Sequence, residues 1–159
     1  MTTIFKSIHH PGKAPLALVV LRAQAEPVAL ALLGVFVVAF VGMLRGEAVL
    51  GTLVWAVPVA YVLAAAWATY ELHRRPAEIA LADGFGLVRS VWDVAAGRDA
   101  KVRVDRFLPV FRPFRKDGEY HASIGDTVHT LHAAEWPQLD ALVDALRASS
   151  DALHAPAPA

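Results

Sequence analysis

The side chains best able to do chemistry in this chain form a basic series: Arg98, Lys101, Arg103, Arg106, Arg112, Arg115 and Lys116. Near an anionic membrane leaflet each such cation contributes about 1 kcal/mol, provided it lies within roughly a Debye length of the surface. Several together would hold a domain against lipid headgroups or an acidic partner. Asp99, Asp105 and Asp117 interrupt the series, and alternate residues of a strand point to opposite faces. A solvated face of mixed charge is the competing reading.

Other constellations carry less. Ser90, Asp93 and His121 are the residue types of a hydrolytic triad, yet the glycines of a nucleophile elbow do not surround Ser90. Asp83-Gly84-Phe85-Gly86 is followed by no Gly-Lys-Ser/Thr, so its glycines serve a turn rather than a phosphate loop. His9 and His10 are adjacent, and His129 with His132 brings no further nearby ligand, which argues against a metal site. Cysteine is absent, which removes disulfides, thiolate metal sites and thiol nucleophiles together. Acidic and basic residues balance at 15 each, so whole-chain electrostatics gives no pull toward nucleic acid. Without a paired acid, base or nucleophile, the sequence points to a non-enzymatic protein with no cofactor and no metal.

The elements that position the basic series begin with two apolar runs, residues 28–44 and 49–70, separated only by Arg45-Gly46-Glu47-Ala48. A spanning helix needs about 20 mainly apolar residues, so both runs are long enough and the loop allows only a tight hairpin. A soluble hairpin would keep a polar face on each helix, and these runs have almost none. Neither run contains an ionisable side chain, which makes the pair an anchor rather than a conduit for ions or protons.

Lys6, Lys13 and Arg22 precede the hairpin and Arg74 and Arg75 follow it, against a single Arg45 in the loop. The positive-inside rule then predicts a multi-pass protein of the inner (plasma) membrane with both termini cytoplasmic. Trp55 near one end of the second helix, with Trp67 and Tyr70 near the other, fits interfacial aromatic belts. Ala56, Ala60, Ala64 and Ala68 form one small-residue stripe, for which Gly34 and Gly42 offer a matching surface on the first helix. Such a stripe packs the hairpin on itself, or docks a membrane protein subunit or a second copy of the chain.

Residues 1–26 are read as a cytoplasmic juxtamembrane segment. Lys6 and Lys13, the apolar residues 14–21 and Ala23-Gln24-Ala25 resemble a secretory signal with its cleavage site. The run is short, follows His9-His10-Pro11-Gly12 and meets Arg22 at once, which favours a short helix lying at the interface.

Beyond residue 76 the apolar runs shorten and alternate. Glu78-Ile79-Ala80-Leu81 and Leu87-Val88-Arg89-Ser90-Val91-Trp92 read as two strands around Asp83-Gly84. Residues 101–107 alternate cleanly, and Pro109 confines the stretch through Phe114 to a short or edge strand. Residues 120–124 and 127–131 flank a Gly125-Asp126 turn. Pairing Ile124 with Thr127 sets Ala122 opposite His129 and Tyr120 opposite Leu131, and sends His121 to the other face. Trp92 and Trp136 read as core anchors. Glu135-Trp136-Pro137 opens a helix whose apolar face is Leu139, Leu142, Val143 and Leu146. Ser149-Ser150 and the Ala/Pro tail read as disordered.

A two-helix hairpin followed by about six short strands and one amphipathic helix resembles the bacterial PH-like membrane proteins. The resemblance is carried by Arg75-Pro76-Ala77-Glu78-Ile79, by residues 84–92 and by Glu135-Trp136-Pro137, over residues 28–148. It implies two transmembrane helices and a small antiparallel β-barrel or sandwich, normally of seven strands, with a C-terminal capping helix. The expected parts are the hairpin at 27–72, a cytoplasmic PH-like domain at 73–150 and a disordered tail at 151–159. The function expected is interaction, through protein-complex assembly or contact with membrane lipids; the alternative is an accessory subunit of a larger membrane enzyme or transport complex.

Overall fold

The computed structural model describes residues 2–97 and 107–154. They fall into two compact units, one of residues 13–74 and one that joins residues 1–12 to the chain from residue 75 onward.

The first unit is the hairpin of α1 (Leu16–Leu44) and α2 (Leu50–Arg74). Its 29 residues make α1 about 43 Å long, against a hydrocarbon core of about 30 Å. Large apolar side chains stay exposed on both helices: Leu33 is 59% exposed, Val38 71% and Trp55 75%. The core helix of a soluble protein would hide them, and both helices are long and apolar enough to cross a membrane. Gln24 Nε2 donates to Thr69 Oγ1 over 3.4 Å, and Thr69 Oγ1 donates to the Ala65 carbonyl over 2.8 Å. The start of α1 therefore lies beside the end of α2, as an antiparallel pair requires.

The second unit contains two antiparallel sheets. β1 (Thr3–Lys6), β2 (Pro76–Ala82), β3 (Phe85–Ser90) and β4 (Leu108–Pro109) form one, in that order. β5 (Phe114–Lys116), β6 (Glu119–Ile124) and β7 (Thr127–Leu131) form the other. An isolated bridge between Val110 and Ile124 links them. Tight turns set the registers: Gly84 has φ +89°, Gly125 +59°, and the pair Asp117 and Gly118 +52° and +86°. At Asp117-Gly118 the two successive positive φ values give the turn twist that matches paired strands. The β6–β7 register is the expected one, with Ile124 opposite Thr127, Ala122 opposite His129 and Tyr120 opposite Leu131.

The inner faces of both sheets meet α4 (Leu139–His154). Ile79, Leu81, Val110, Ala122, Ile124, Leu131 and Trp136 pack with Leu142, Val143 and Leu146 in one buried core. Asp140, Asp144 and Arg147 lie on the exposed side of α4, as its period predicts.

Several expectations are corrected. Within the segment 1–26, residues 3–6 are a strand: they form β1, which pairs with β2 through Phe5 opposite Ile79. Phe5 is 7% exposed because alternation aims it into the core. No separate interfacial helix follows, since residues 16–26 are the first turns of α1, which continues through Pro27. With β1 counted, the described residues hold seven strands, but in two sheets and not in a closed barrel. β3 stops at Ser90 instead of running to Trp92. There Ser90 Oγ accepts from Asp93 N–H, the Asp93 carboxylate accepts from Ser90 N–H, and this capping box starts α3 (Val91–Ala95). Trp92 is consequently half-buried on α3. The last helix begins at Leu139, two residues after Pro137, and its Leu142 N–H bonds the Gln138 carbonyl.

Ser149 and Ser150 are buried in α4 rather than disordered, because they continue the apolar face at the spacing of Leu142 and Leu146. Ser149 Oγ accepts the Gly84 N–H over 3.1 Å. Residues 151–154 belong to the same helix. Of the strand expected at 101–107, residues 101–106 lie outside the described residues, as does the tail from 155, and Phe107 is buried but not part of a strand.

Candidate functional site

The sheet β5–β6–β7 turns its inner residues to the core and leaves an outer face. Register places Phe114 opposite His121, His121 opposite Thr130 and Ser123 opposite Val128 on that face. Phe111 joins them, its N–H donating to the Ser123 carbonyl while the preceding Val110 points inward and is fully buried. Phe111 is 45% exposed, Phe114 46% and Val128 54%. The His121 ring stacks on Phe114 with centroids 5.1 Å apart, and its Nδ1 lies 3.3 Å from Thr130 Oγ1. A folded domain has little reason to leave two phenyl rings, three residues apart, half in water.

Of the predicted basic residues, Arg112, Arg115 and Lys116 lie among the described ones and all three are exposed. They do not share one face. Lys116 follows Phe114 at the strand period of two and lies on its side of β5, while Arg115 turns to the opposite side. There its guanidinium sits 5.6 Å from the Tyr120 ring centroid and its Nε donates to the Gly118 carbonyl over 3.3 Å. Arg98, Lys101, Arg103 and Arg106 fall outside the described residues.

The remaining sequence candidates are spread apart. Ser90 Oγ donates to Asp93 Oδ2 over 2.7 Å within its own cap, whereas His121 belongs to the other sheet, so the triad types do not converge. His129 sits on the inner side of β7, opposite Ala122, and burial lowers its pKa below the ordinary 6.5. His121 and His129 thus face opposite ways. Among the described residues no three His, Asp or Glu side chains gather as metal ligands would. In the hairpin, Ala68 is 3% exposed and Ala56, Ala60 and Ala64 are half-buried, so the stripe is partly covered. Gly42 is buried where a Cβ would lie 3.0 Å from Val49 Cγ1, against the loop rather than the stripe, and Gly34 faces open space.

One polar cluster escaped the sequence reading. Glu78 is 5% exposed, with Arg89 Nη1 donating to its Oε1 over 2.7 Å and His10 Nε2 lying 3.3 Å from its Oε2. Gly12 N–H donates to His10 Nδ1 over 3.0 Å, which leaves Nε2 to carry the proton toward Glu78. His9 approaches Glu135 at 3.6 Å, and Ser7 Oγ donates to the Pro76 carbonyl over 2.9 Å. The segment ahead of α1 is therefore fastened to the β unit by hydrogen bonds as well as by β1. The Asp83-Gly84 turn contains the signal, because the register it sets places Glu78 opposite Arg89.

No family model, curated protein or solved structure matches this chain.

Proposed function

We propose that this chain is a non-enzymatic membrane protein whose hairpin anchors a PH-like β domain at the cytoplasmic face, where the domain contacts anionic lipid. The observation that carries the reading is the pair of half-exposed rings, Phe111 and Phe114, on the same short segment as exposed Arg112 and Lys116. Rings of this kind enter the headgroup region while neighbouring cations meet phosphates. The exposed apolar surface of α1 and α2 supports insertion, and the excess of basic residues outside the loop supports cytoplasmic termini. Seven strands in sheets of four and three with a C-terminal helix support the PH-like reading of the domain.

The test uses the full chain in nanodiscs, with hydrogen exchange read at residues 111–116. Protection in discs containing phosphatidylglycerol, absent in phosphatidylcholine discs and weakened by salt, is the expected result. Reversing Arg112 and Lys116 to Glu removes about 2 kcal/mol at about 1 kcal/mol per cation, before the added repulsion, and should abolish the difference. Equal exchange in both lipids would end the proposal. Orientation is read separately with single cysteines, which the native chain lacks: one at Glu47 should label from outside the cell and one at Gly118 should not.

A further inference from the structure

The hairpin contains a groove that its own packing does not fill. It has a volume of about 420 Å³ and runs between α1 and α2 near their connecting loop. Its walls are almost wholly apolar, with Ala31, Val35 and Val38 from α1, Val49 from the loop and Leu53 from α2. Gly34 leaves one wall open, since a Cβ built there would meet nothing within 4 Å. The polar side chains of the lining are Thr52 on α2 and Glu47 at the loop end, both exposed. The Glu47 carboxylate folds back toward α1, where Oε2 lies 3.2 Å from the position a Cβ would take on Gly42. Arg45, two residues earlier in the same loop, is exposed.

We infer that this groove binds one lipid carrying a phosphoethanolamine headgroup. The inference rests on membrane insertion of the hairpin. An acyl chain lies along the Ala31–Val38 side of α1, the ammonium donates to the Glu47 carboxylate, and the phosphate meets Arg45. Charge decides among occupants. A neutral apolar chain or a packed helix would offer the exposed carboxylate at the groove mouth no charged partner. A phosphoglycerol headgroup brings no cation, and a trimethylammonium has no N–H to donate. A primary ammonium satisfies the carboxylate with a charge-assisted hydrogen bond.

The experiment is native mass spectrometry of the full-length chain released from nanodiscs of equal phosphatidylethanolamine, phosphatidylcholine and phosphatidylglycerol. The expected spectrum shows one retained phosphatidylethanolamine, favoured about tenfold or more over the other two, as one charge-assisted hydrogen bond allows. Glu47→Gln should remove that preference, and Gly34→Leu, which grows into open space, should lower retention of all three lipids. Equal retention of the three lipids by the native chain, or an unchanged preference in Glu47→Gln, overturns the inference. So does a lipid-free dimer, which would mean that a second copy fills the groove. Alkaline carbonate extraction of native membranes is read alongside: a chain that stays in the pellet but shows no lipid preference refutes the groove alone, whereas a chain that is extracted refutes insertion itself.

Discussion

Replacing Phe5 with Ala tests whether the strand ahead of the hairpin is an integral part of the β domain. Phe5 is 7% exposed and belongs to the same buried cluster as Ile79, Leu81 and Trp136. Truncating a buried phenylalanine costs about 3–5 kcal/mol, the lost transfer energy plus the cavity left behind. A domain of ordinary stability has about 5–15 kcal/mol in all, so the loss is about a fifth of it or more. Ile8 serves as the control: it is 59% exposed, and Ile8→Ala should change stability by less than about 0.5 kcal/mol. The assay is hydrogen exchange of the full chain in detergent, read at the amides of β2 and β6. At about 1.4 kcal/mol per tenfold, Phe5→Ala should speed exchange there roughly 10²- to 10³-fold, with α1 and α2 unaffected. If β2 and β6 exchange as slowly in Phe5→Ala as in Ile8→Ala, β1 is not part of the core and the segment reverts to a peripheral tether.

Gly86→Ala should destabilise the domain by about 1–3 kcal/mol through overpacking, because the new Cβ would lie 2.9 Å from Val110 Cγ2 and 3.0 Å from Leu81 Cδ2; denaturant titration reads it, and Gly118→Ala, with open space around it, separates crowding from backbone strain. Burial depresses the His129 pKa in the folded state, so the unfolded chain takes up the proton first. Stability contributed there is complete above about pH 6.5 and falls as pH drops below it, levelling once pH passes the folded-state value; His129→Phe should flatten that part of the curve, and an unchanged slope would contradict it. Inserting ten Gly/Ser residues between Lys13 and Ala14 roughly doubles the tether between β1 and α1, which should cost only about 0.6 kcal/mol in the same exchange assay.

What the sequence made legible follows a physical division. The β6–β7 register was readable to the residue because a two-residue turn and a period of two leave one arrangement that buries Ala122, Ile124 and Leu131 together. The hairpin was readable because two apolar runs, each long enough for a spanning helix, are separated by only four residues. β1 was not, since its four residues, Thr3-Ile4-Phe5-Lys6, carry too little pattern to separate a strand from a helix end. Its partner lies beyond the hairpin, and a strand of that length is defined by its partner more than by itself. Ser149 was missed for a similar reason, since its hydroxyl finds its partner in the Gly84 N–H, 65 residues away in sequence. The basic series was found as a composition, but its division by face between Arg115 and Lys116 needed the β5–β6 register, fixed by the Asp117-Gly118 turn that the reading passed over.

The place of the hairpin in the chain has a thermodynamic consequence. Ser7 and Pro76, joined by a hydrogen bond, are 69 residues apart in sequence. Closing a flexible loop of that length costs about 4 kcal/mol before any constant term. An antiparallel hairpin formed first removes most of that loop, since the Gln24–Thr69 contact already brings the start of α1 beside the end of α2. The remaining flexible chain is roughly ten residues, with a closure cost of about 2 kcal/mol. Formation of the hairpin therefore favours β1–β2 pairing by about 2 kcal/mol through loop closure alone. Placing a strand ahead of the hairpin thus makes completion of the β domain depend on the hairpin having formed.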